Sequence, residues 1–496
     1  YGVYITAADP AAAYFVTPAR AWEFGAGGLL ALLPPSSFAG AGRSVLSWAG
    51  WIAIGIGATT FTEATPFPGY AALLPVLGAV AVIYAGTPAG RWSPARVVHV
   101  APVQFLGDIS YAVYLWHLPL LVLAPFAIGG GIHTGTRIAI TMLTILAAWL
   151  TKIVIEDPVR SRPFLVRRRA RWTLTFAAAG TAAVMAVTFW GASYVQAQVR
   201  RDEAQGRRIV ASHPRCFGAA ARDPERPCDN PGLRLTVTPT PVSARNRPNS
   251  PCTLVAQKPF NVCAFGVPRA KSKGTIALLG DSHASHWRAA LELVAQAKGW
   301  HGLSITRSGC PLSRTVKKLR DPLQAGCIRW NHDVPRWFAH HPEISTVFVV
   351  QDSGGKWVVP RGESSFSAQL SGFSRAWKSL PRSVKHVIVI RDTPKDRKDT
   401  QACIERAMAA RRPAGKVCAV PRGVAIDRDS QAVAAAGLRS PRVKSVDLNR
   451  FFCDTRLCYP VIGGALVHKD DHHLTVVFAT TLGPYLLRAV NRLTSS

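Results

Sequence analysis

Cysteine is absent from the first 215 residues of this 496-residue chain, and acidic residues are scarce throughout. There are 28 Asp and Glu residues against 59 Lys and Arg residues, which gives a formal net charge of +31. The cysteines that do occur form no CxxC motif and no Cys/His cluster with zinc-site spacing. We therefore predict a basic protein with no bound metal.

All ten cysteines lie after residue 200 and fall into close pairs: Cys216/Cys228, Cys252/Cys263, Cys310/Cys327, Cys403/Cys418 and Cys453/Cys458. An even number confined to one region favours disulfides in an oxidising compartment over free thiols or a metal site. Spacing alone leaves the connectivity open. The chain begins at Tyr1, with no Met and no signal peptide, so we interpret it as a fragment without its natural N-terminus.

The first part of the chain contains most of the long apolar stretches. They are residues 16–33, 45–61, 70–86, 103–128, 136–155 and 172–194. Crossing a bilayer takes about 20 residues, and several of these stretches are long enough, although the first three are shorter or rich in glycine. The pattern predicts a multi-pass protein of the cell membrane.

The loops between these stretches alternate in charge. Lys and Arg occur around Arg43, at Arg91 and Arg96, and in the basic segment 160–171, whereas the loops 61–70 and 128–135 have none. By the positive-inside rule the basic loops lie in the cytoplasm. Tyr1 and everything after residue 194 are then expected outside, which agrees with the cysteine argument.

Ionisable residues within apolar spans are functional candidates. Arg20 and Glu23 are one helical turn apart and can also simply pair with each other. His117 either lines a pocket or holds helices together. Asp108 can cap the helix that contains Ser110, and Glu156 lies at the end of a span.

The segment FLGDISYAVYLWHLPLL (residues 105–121), followed by IEDPVR (155–160), resembles the end of an acyltransferase family 3 membrane domain. Residues 14–31 are similar to a segment midway through that domain. Such domains have about ten spans with both ends cytoplasmic. The resemblance implies that an odd number of spans is missing here, together with the first helix that handles the acyl donor.

Residues 196–270 are rich in Pro, Arg, Ser and Asn, and we interpret them as an irregular linker stapled by two cysteine pairs. Strands and helices alternate from residue 271 to the end. Predicted strands are 275–280, 302–306, 345–351, 385–391 and 443–447, and predicted helices are 284–298, 328–340, 364–380, 400–412 and 473–491. The alternation indicates an α/β domain with a parallel sheet covered by helices on both faces.

The stretch TIALLGDSHASH (residues 275–286) joins a buried strand to a helix. A serine on such a turn is exposed at the carboxyl edge of the sheet, beside a helix N-terminus that favours negative charge. Ser282 is therefore a candidate nucleophile. The alternative is that Asp281 and Ser282 only cap the helix.

A serine nucleophile needs a base, and the base needs an orienting carboxylate. Asp470 and His473 are three residues apart, just before the last predicted helix. The doubled letters of DDHH leave Asp471 and His472 as rival assignments. Alone, this motif would more simply be a solvated turn or an adventitious metal site.

Together, GDSH (280–283) and DDHHLT (470–475) resemble the first and last blocks of SGNH hydrolases, and specifically the SGNH domain fused to acyltransferase family 3 domains. The resemblance implies a flavodoxin-like domain with Ser282 as nucleophile, His473 as general base and Asp470 as its orienting acid. The family's oxyanion hole uses a glycine N–H and an asparagine side chain. Gly309 is the candidate glycine, but Gln351 stands where the asparagine block is missing.

The function that we predict is O-acyl transfer, most simply acetyl transfer, from cytoplasmic acyl-CoA to a hydroxyl of a cell-envelope glycan or glycolipid. Acyl-CoA is then a donor substrate, and no bound cofactor is expected. Excess positive charge suits an anionic acceptor or lipid headgroups, whereas nucleic acid is not expected outside the cell. The alternatives are a membrane-anchored carbohydrate esterase and a glycan-binding module with a degenerate site.

Overall fold

The structure is a computed structural model, and it divides into two compact units, Tyr1–Phe176 and Ala177–Ser496. The residues that it describes are 1–8, 13, 14, 16–34, 40–62, 65–88, 92–128, 133–161, 170–245, 247–257, 259–352 and 354–494. Arg91 and most of the predicted basic segment 160–171 lie outside these ranges.

Helices are the secondary structure of the described part of the first unit. Its main helices are α1 (Gly2–Ala8), α2 (Thr17–Leu32), α3 (Gly40–Thr60), α4 (Leu73–Ala85), α5 (Ala101–Ile128) and α6 (Thr134–Thr151). Three shorter helical segments are Ala95–Val98, between α4 and α5, and Lys152–Glu156 and Asp157–Ser161, after α6. Among the described residues, three helical segments are long and apolar enough to cross a membrane: Ala101–Ala124, Thr134–Arg160 and Arg171–Ala211.

Helix α7 (Ala170–Ala211) has 42 residues and contains the point where the two units divide. At 1.5 Å per residue it is about 63 Å long, roughly twice the thickness of a bilayer's hydrocarbon core. The predicted span 172–194 is therefore only its apolar half. The polar half, 196–211, is helical, so the prediction of an irregular linker was wrong there.

The second unit is built around a seven-stranded sheet. Its strands are β1 (Thr253–Ala256), β2 (Val262–Gly266), β3 (Gly274–Gly280), β4 (Trp300–Thr306), β5 (Ile344–Val350), β6 (His386–Ile390) and β7 (Val443–Val446). The order across the sheet is β1-β2-β4-β3-β5-β6-β7, and β3 to β7 are parallel. Strands β1 and β2 are antiparallel additions at one edge. The sheet is thus mixed, and these two strands come from residues that we had predicted to be linker.

Besides α7, the described part of the second unit has six helices of eight residues or more. They are α8 (Ser282–Lys298), α9 (Leu323–Ala339), α10 (Ser365–Lys378), α11 (Thr400–Ala409), α12 (Ser430–Gly437) and α13 (Val476–Thr494). Short helical turns are Gly218–Arg222, Pro231–Leu233, Pro241–Arg245, Arg269–Lys271, Ala414–Val417, Arg422–Ala425 and Asn449–Phe451. Two small ladders pair Val420–Pro421 with Leu457–Cys458 and Val461–Ile462 with Ala465–Leu466.

Side chains of β3 alternate between two hydrophobic cores. Ile276 and Leu278 pack with Trp287 on the face covered by α8 and α13. Ala277 and Leu279 pack into the core on the opposite face, which contains residues of α9, α10 and α12. A strand buried on both faces is continuously apolar, which is why the run before Gly280 has no polar alternation.

The five close cysteine pairs each form a disulfide. No described cysteine is free. The prediction of disulfides over metal ligation is confirmed, and each bond joins residues between 5 and 17 positions apart.

Strand β3 lies between β4 and β5, so the chain leaves it towards one neighbour and later returns to the other. Ligands of open α/β sheets bind at such a switch point, beyond the carboxyl ends of the strands. Gly280 ends β3 with a φ of 137°, and a Cβ at this position would overlap the carbonyl oxygen of Val350 in β5. Glycine is thus required for the turn that leads to Ser282.

We expect Gly280→Ala to destabilise the second unit by about 3 kcal/mol or more, because the strained φ and the overlap both oppose the side chain. The matched control is Gly437→Ala at the end of α12, where a Cβ meets no described atom within 4 Å. It should change stability by less than about 1 kcal/mol. The urea midpoint of pulse proteolysis measures the stability of both variants. Equal midpoints would contradict the requirement for glycine at position 280.

Candidate functional site

The turn after β3 is held by Asp281, which is fully buried. Its carboxylate accepts a hydrogen bond from the backbone N–H of His283 at 2.9 Å and caps α8. It also accepts the backbone N–H of Asp352, which follows β5, at 3.1 Å. Asp281 is thus the helix cap, whereas Ser282 is the first residue of the helix, half-buried, and does not serve as the cap.

The segment before α13 forms a tight turn around Asp470. This carboxylate accepts the backbone N–H groups of His472 at 3.0 Å and His473 at 2.7 Å, and it contacts Nδ1 of His473 at 2.8 Å. Partial burial alone raises the pKa of Asp470, but these hydrogen bonds hold it well below its usual range. An ionised carboxylate bonded to Nδ1 leaves Nε2 of His473 as the ring nitrogen for proton transfer.

The rival pair also forms, because Nδ1 of His472 lies 2.6 Å from a carboxylate oxygen of Asp471. The two pairs differ in burial. The side chain of His472 is 34% exposed, whereas that of His473 is 16% exposed. Nε2 of His473 is buried and has no hydrogen-bond partner among the described residues.

The two sequence motifs meet in space. The ring of His283 lies 5.3 Å, centroid to centroid, from the rings of both His472 and His473. One turn further along α8, Nδ1 of His286 lies 3.3 Å from the backbone N–H of Leu474, which donates to it. The structure thus brings the turn that contains Asp470 against the first turn of α8, which begins at Ser282.

Sequence reasoning missed the buried pair formed by His283 and Asp392. Their Nδ1 and carboxylate oxygen are 2.5 Å apart, and both side chains are almost fully buried. Burial lowers the pKa of His283, but the charge and hydrogen bond of Asp392, together with the charges of Asp281 and Asp352, outweigh it and raise the pKa to about 9. Asp392 comes two residues after the end of β6, and a polar residue directly after a buried strand was the signal that could have found it.

A second missed group surrounds Asp352. Its carboxylate pairs with Lys317 at 3.2 Å and with Lys395 at 2.8 Å. Burial alone would raise the pKa of Asp352, yet the nearby positive charges hold it far below its usual range. The side chain of Lys317 is only 8% exposed, so the carboxylate is its essential counter-charge.

The oxyanion candidates are close to the same edge of the sheet. Gln351 follows β5, its side-chain oxygen accepts the N–H of Leu312 at 2.8 Å, and its buried Nε2 donates to no described atom. Gly309 lies in the loop after β4 with a φ of 67°. Gln351 thus has a free amide donor, and its role in an oxyanion hole remains a prediction.

The candidates in the first unit have local partners. Arg20 and Glu23 form a two-fold salt bridge with each other at 3.1 Å, which is the simpler of the two interpretations. Nδ1 of His117 lies 2.6 Å from the backbone oxygen of Tyr114 in the same helix. Asp108 lies inside α5 and not at its start, so the prediction that it caps this helix was wrong.

The second unit is similar to a known family of domains. Residues 249–488 match the family described as the SGNH domain fused to AT3 domains. This part of the chain is thus similar to that family, in agreement with the resemblance of its two motifs. The match begins just before β1, so it includes the two antiparallel strands.

Two curated relatives are similar to the chain over part of its length. BcsY of Komagataeibacter xylinus, which bears the provisional name of a membrane-bound transacylase, is 28% identical over 180 residues, 35% of this chain and 45% of that protein. The peptidoglycan O-acetyltransferase OatA of Listeria monocytogenes is 29% identical over 174 residues, 33% of this chain and 28% of that protein. The chain thus spans less than half the length of either relative.

A solved structure was also found, the periplasmic domain of a lipopolysaccharide acetyltransferase from Salmonella ser. Paratyphi A. It is 15% identical, with a TM-score of 0.35, and the match covers 46% of this chain and 90% of that one. At this score the likeness adds nothing to the assignment.

We expect Asp352→Asn to destabilise the second unit by about 3 kcal/mol at pH 7, because it leaves Lys317 buried without a counter-charge. Since the folded pKa of Asp352 is depressed, its stabilising effect is present above pH 4 and is lost as the pH falls below that value. The free energy of unfolding of the wild type should therefore fall more steeply below about pH 4 than that of Asp352→Asn.

The control for this prediction is Asp427→Asn. Asp427 also pairs with Lys395, at 3.3 Å, but its side chain is 56% exposed, so the change should cost less than about 1 kcal/mol. Pulse proteolysis with thermolysin near pH 7 and pepsin below pH 4 measures both variants. Parallel pH profiles for wild type and Asp352→Asn would contradict the assigned ion pairs.

Proposed function

We propose that this chain belongs to a membrane-bound O-acyltransferase that acylates a hydroxyl of a cell-envelope glycan or glycolipid, with acetyl as the simplest acyl group. The observation that carries the proposal is the Asp470–His473 pair packed against the first turn of α8, where Ser282 begins the helix. Helices that can cross a membrane precede this SGNH domain in the same chain.

The proposed chemistry has two half-reactions. Ser282 Oγ attacks the carbonyl carbon of an acyl group delivered to the outer face, and the bond from that carbon to its carrier breaks. His473 Nε2 takes the hydroxyl proton and gives it to the departing carrier atom. The acceptor hydroxyl then attacks the Ser282 ester, and its proton returns through His473 to Ser282 Oγ, so enzyme and protons balance.

His473 is preferred over His472 as the base for two reasons. Asp470 accepts three hydrogen bonds from this turn, including the one from His473 Nδ1, so it fixes the ring more firmly than Asp471 fixes His472. His473 is also the less exposed ring. A base screened from water holds its orientation during the reaction, which favours proton transfer to and from one partner.

The donor and the compartments belong to the same proposal. Five disulfides favour an oxidising compartment for the second unit, and the charge pattern of the loops favours the same side. The donor is then cytoplasmic acyl-CoA, and the acyl group must pass through the membrane region. The excess of Lys and Arg supports an anionic acceptor or anionic headgroups.

Ser282→Ala should abolish O-acylation of envelope glycans, with a fall of at least about a thousand-fold in transfer rate, because alanine has no hydroxyl to attack the acyl group. NMR of glycans from cells that express the wild-type or variant protein measures the O-acetyl content. A rise in O-acetyl content in the variant would show an esterase. An unchanged content would rule out both enzymatic functions and leave a glycan-binding module.

The assignment of the base is tested by two matched substitutions. His473→Gln should lower the transfer rate at least about a thousand-fold, whereas His472→Gln should lower it less than about ten-fold. Transfer of radiolabelled acetyl in membranes prepared from each strain measures both rates. The reverse order of effects would assign the base to His472 and its orienting carboxylate to Asp471.

A further inference from the structure

Three histidines at the candidate site share one arrangement: Nδ1 of each ring is hydrogen-bonded to a carboxylate. The pairs are His283 with Asp392 at 2.5 Å, His472 with Asp471 at 2.6 Å and His473 with Asp470 at 2.8 Å. One ring nitrogen of each histidine lies within 4.8 Å of the others. With every Nδ1 bonded to a carboxylate, Nε2 is the nitrogen left on all three rings, and a metal ion that binds there takes the place of any proton on it.

Two of these Nε2 atoms are unpartnered. Those of His283 and His473 are buried and have no hydrogen-bond partner among the described residues. Buried polar atoms are rarely left in this state. The rings thus do not hydrogen-bond to each other through these atoms, whereas a group placed between them could bind both.

We propose that His283, His472 and His473 bind a divalent zinc-class metal ion through Nε2, with a fourth position open to water or a substrate oxygen. Three imidazoles with one open position are a ligand set that zinc accepts. Metal-binding histidines characteristically give their other ring nitrogen to a carboxylate, which fixes the ring and makes it a better ligand. All three rings have that second interaction here.

The geometry needs a small closure. Tetrahedral Zn–N bonds of about 2.0–2.1 Å place the ligand nitrogens about 3.3 Å apart. Since the nitrogens lie within 4.8 Å of one another, each pair must close by at most about 1.5 Å. His472 and His473 lie on a turn before α13 and are partly exposed, which gives an ion a route from solvent. Imidazole ligands favour zinc and its transition-metal neighbours over magnesium or calcium.

A second group of possible ligands is less suitable. Asp352 lies with Asp392 close enough to His283 to share an ion, but its carboxylate is already neutralised by Lys317 and Lys395. A metal there would have to displace two ammonium groups. The DDHH motif alone offers two histidines to a metal ion, His472 and His473. The fold adds His283 as a third, buried ligand, so we prefer the three-histidine site.

If His473 is the base, as the proposed function has it, metal binding competes with catalysis. Nε2 of His473 cannot bind a metal ion and accept a proton from Ser282 at the same time. Metal binding and acyl transfer are then mutually exclusive, so zinc in the outer compartment would reversibly inhibit the enzyme.

The experiment is to titrate the purified full chain in detergent with Zn²⁺ and, as a spectroscopic probe, with Co²⁺. We expect one ion per chain and the intense visible absorption of four-coordinate Co²⁺. His283→Gln and His472→Gln should each weaken Zn²⁺ binding at least about a hundred-fold, and Asp392→Asn about 10- to 100-fold. His332→Gln is the matched control, because His332 also pairs with an aspartate but lies in α9, away from this site.

The outcomes are distinct. Zn²⁺ binding that survives both His283→Gln and His472→Gln would overturn the site, and His472 is partly exposed, so that variant is expected to fold. Ser282→Ala should bind Zn²⁺ as the wild type does even though it transfers no acyl group, which separates this proposal from the catalytic one. We expect Zn²⁺ to inhibit transfer by the wild type and EDTA to reverse this inhibition. Activation by Zn²⁺ would contradict the inference that His473 cannot bind the metal ion and serve as the base at the same time.

Discussion

The buried carboxylate of Asp281 is the interaction on which the candidate site depends. It accepts hydrogen bonds from the backbone N–H of His283, in the first turn of α8, and from that of Asp352, which follows β5. These bonds connect the ends of two strands to the start of a helix. The required glycine at position 280 allows the chain to approach Val350 closely enough for this contact. Burial raises the pKa of Asp281, and the capping hydrogen bonds offset the cost of placing a carboxylate there.

Around this anchor, charges are placed in compensated pairs. Asp352 has two lysines, Asp392 has His283, and Asp470 has His473. Unpaired charges at these depths would be strongly destabilising, so the edge of the sheet is polar but rigid. That rigidity suits a site in which a proton must move between fixed atoms, because reorganisation at the moment of reaction is small.

The same imidazoles support the two proposals. A carboxylate on Nδ1 prepares a histidine both for accepting a proton at Nε2 and for binding a metal there. In the second unit of this chain, three such rings lie close together. The acyl-transfer proposal uses one of them, and the metal proposal uses all three, so the second provides a way to control the first.

Local features were determined by the sequence. The five parallel strands and the principal helices lie within a few residues of their predicted positions, because apolar runs and helical spacing are local signals. The disulfides join near neighbours, and Asp470 pairs with His473 because the two are three positions apart on one turn. Only the tertiary structure decided the rest. The edge strands β1 and β2 depend on distant pairing, His283 and Asp392 are 109 residues apart, and α7 continues beyond its apolar half. Such contacts depend on which strand ends become neighbours in the sheet, and no local period of the sequence encodes that.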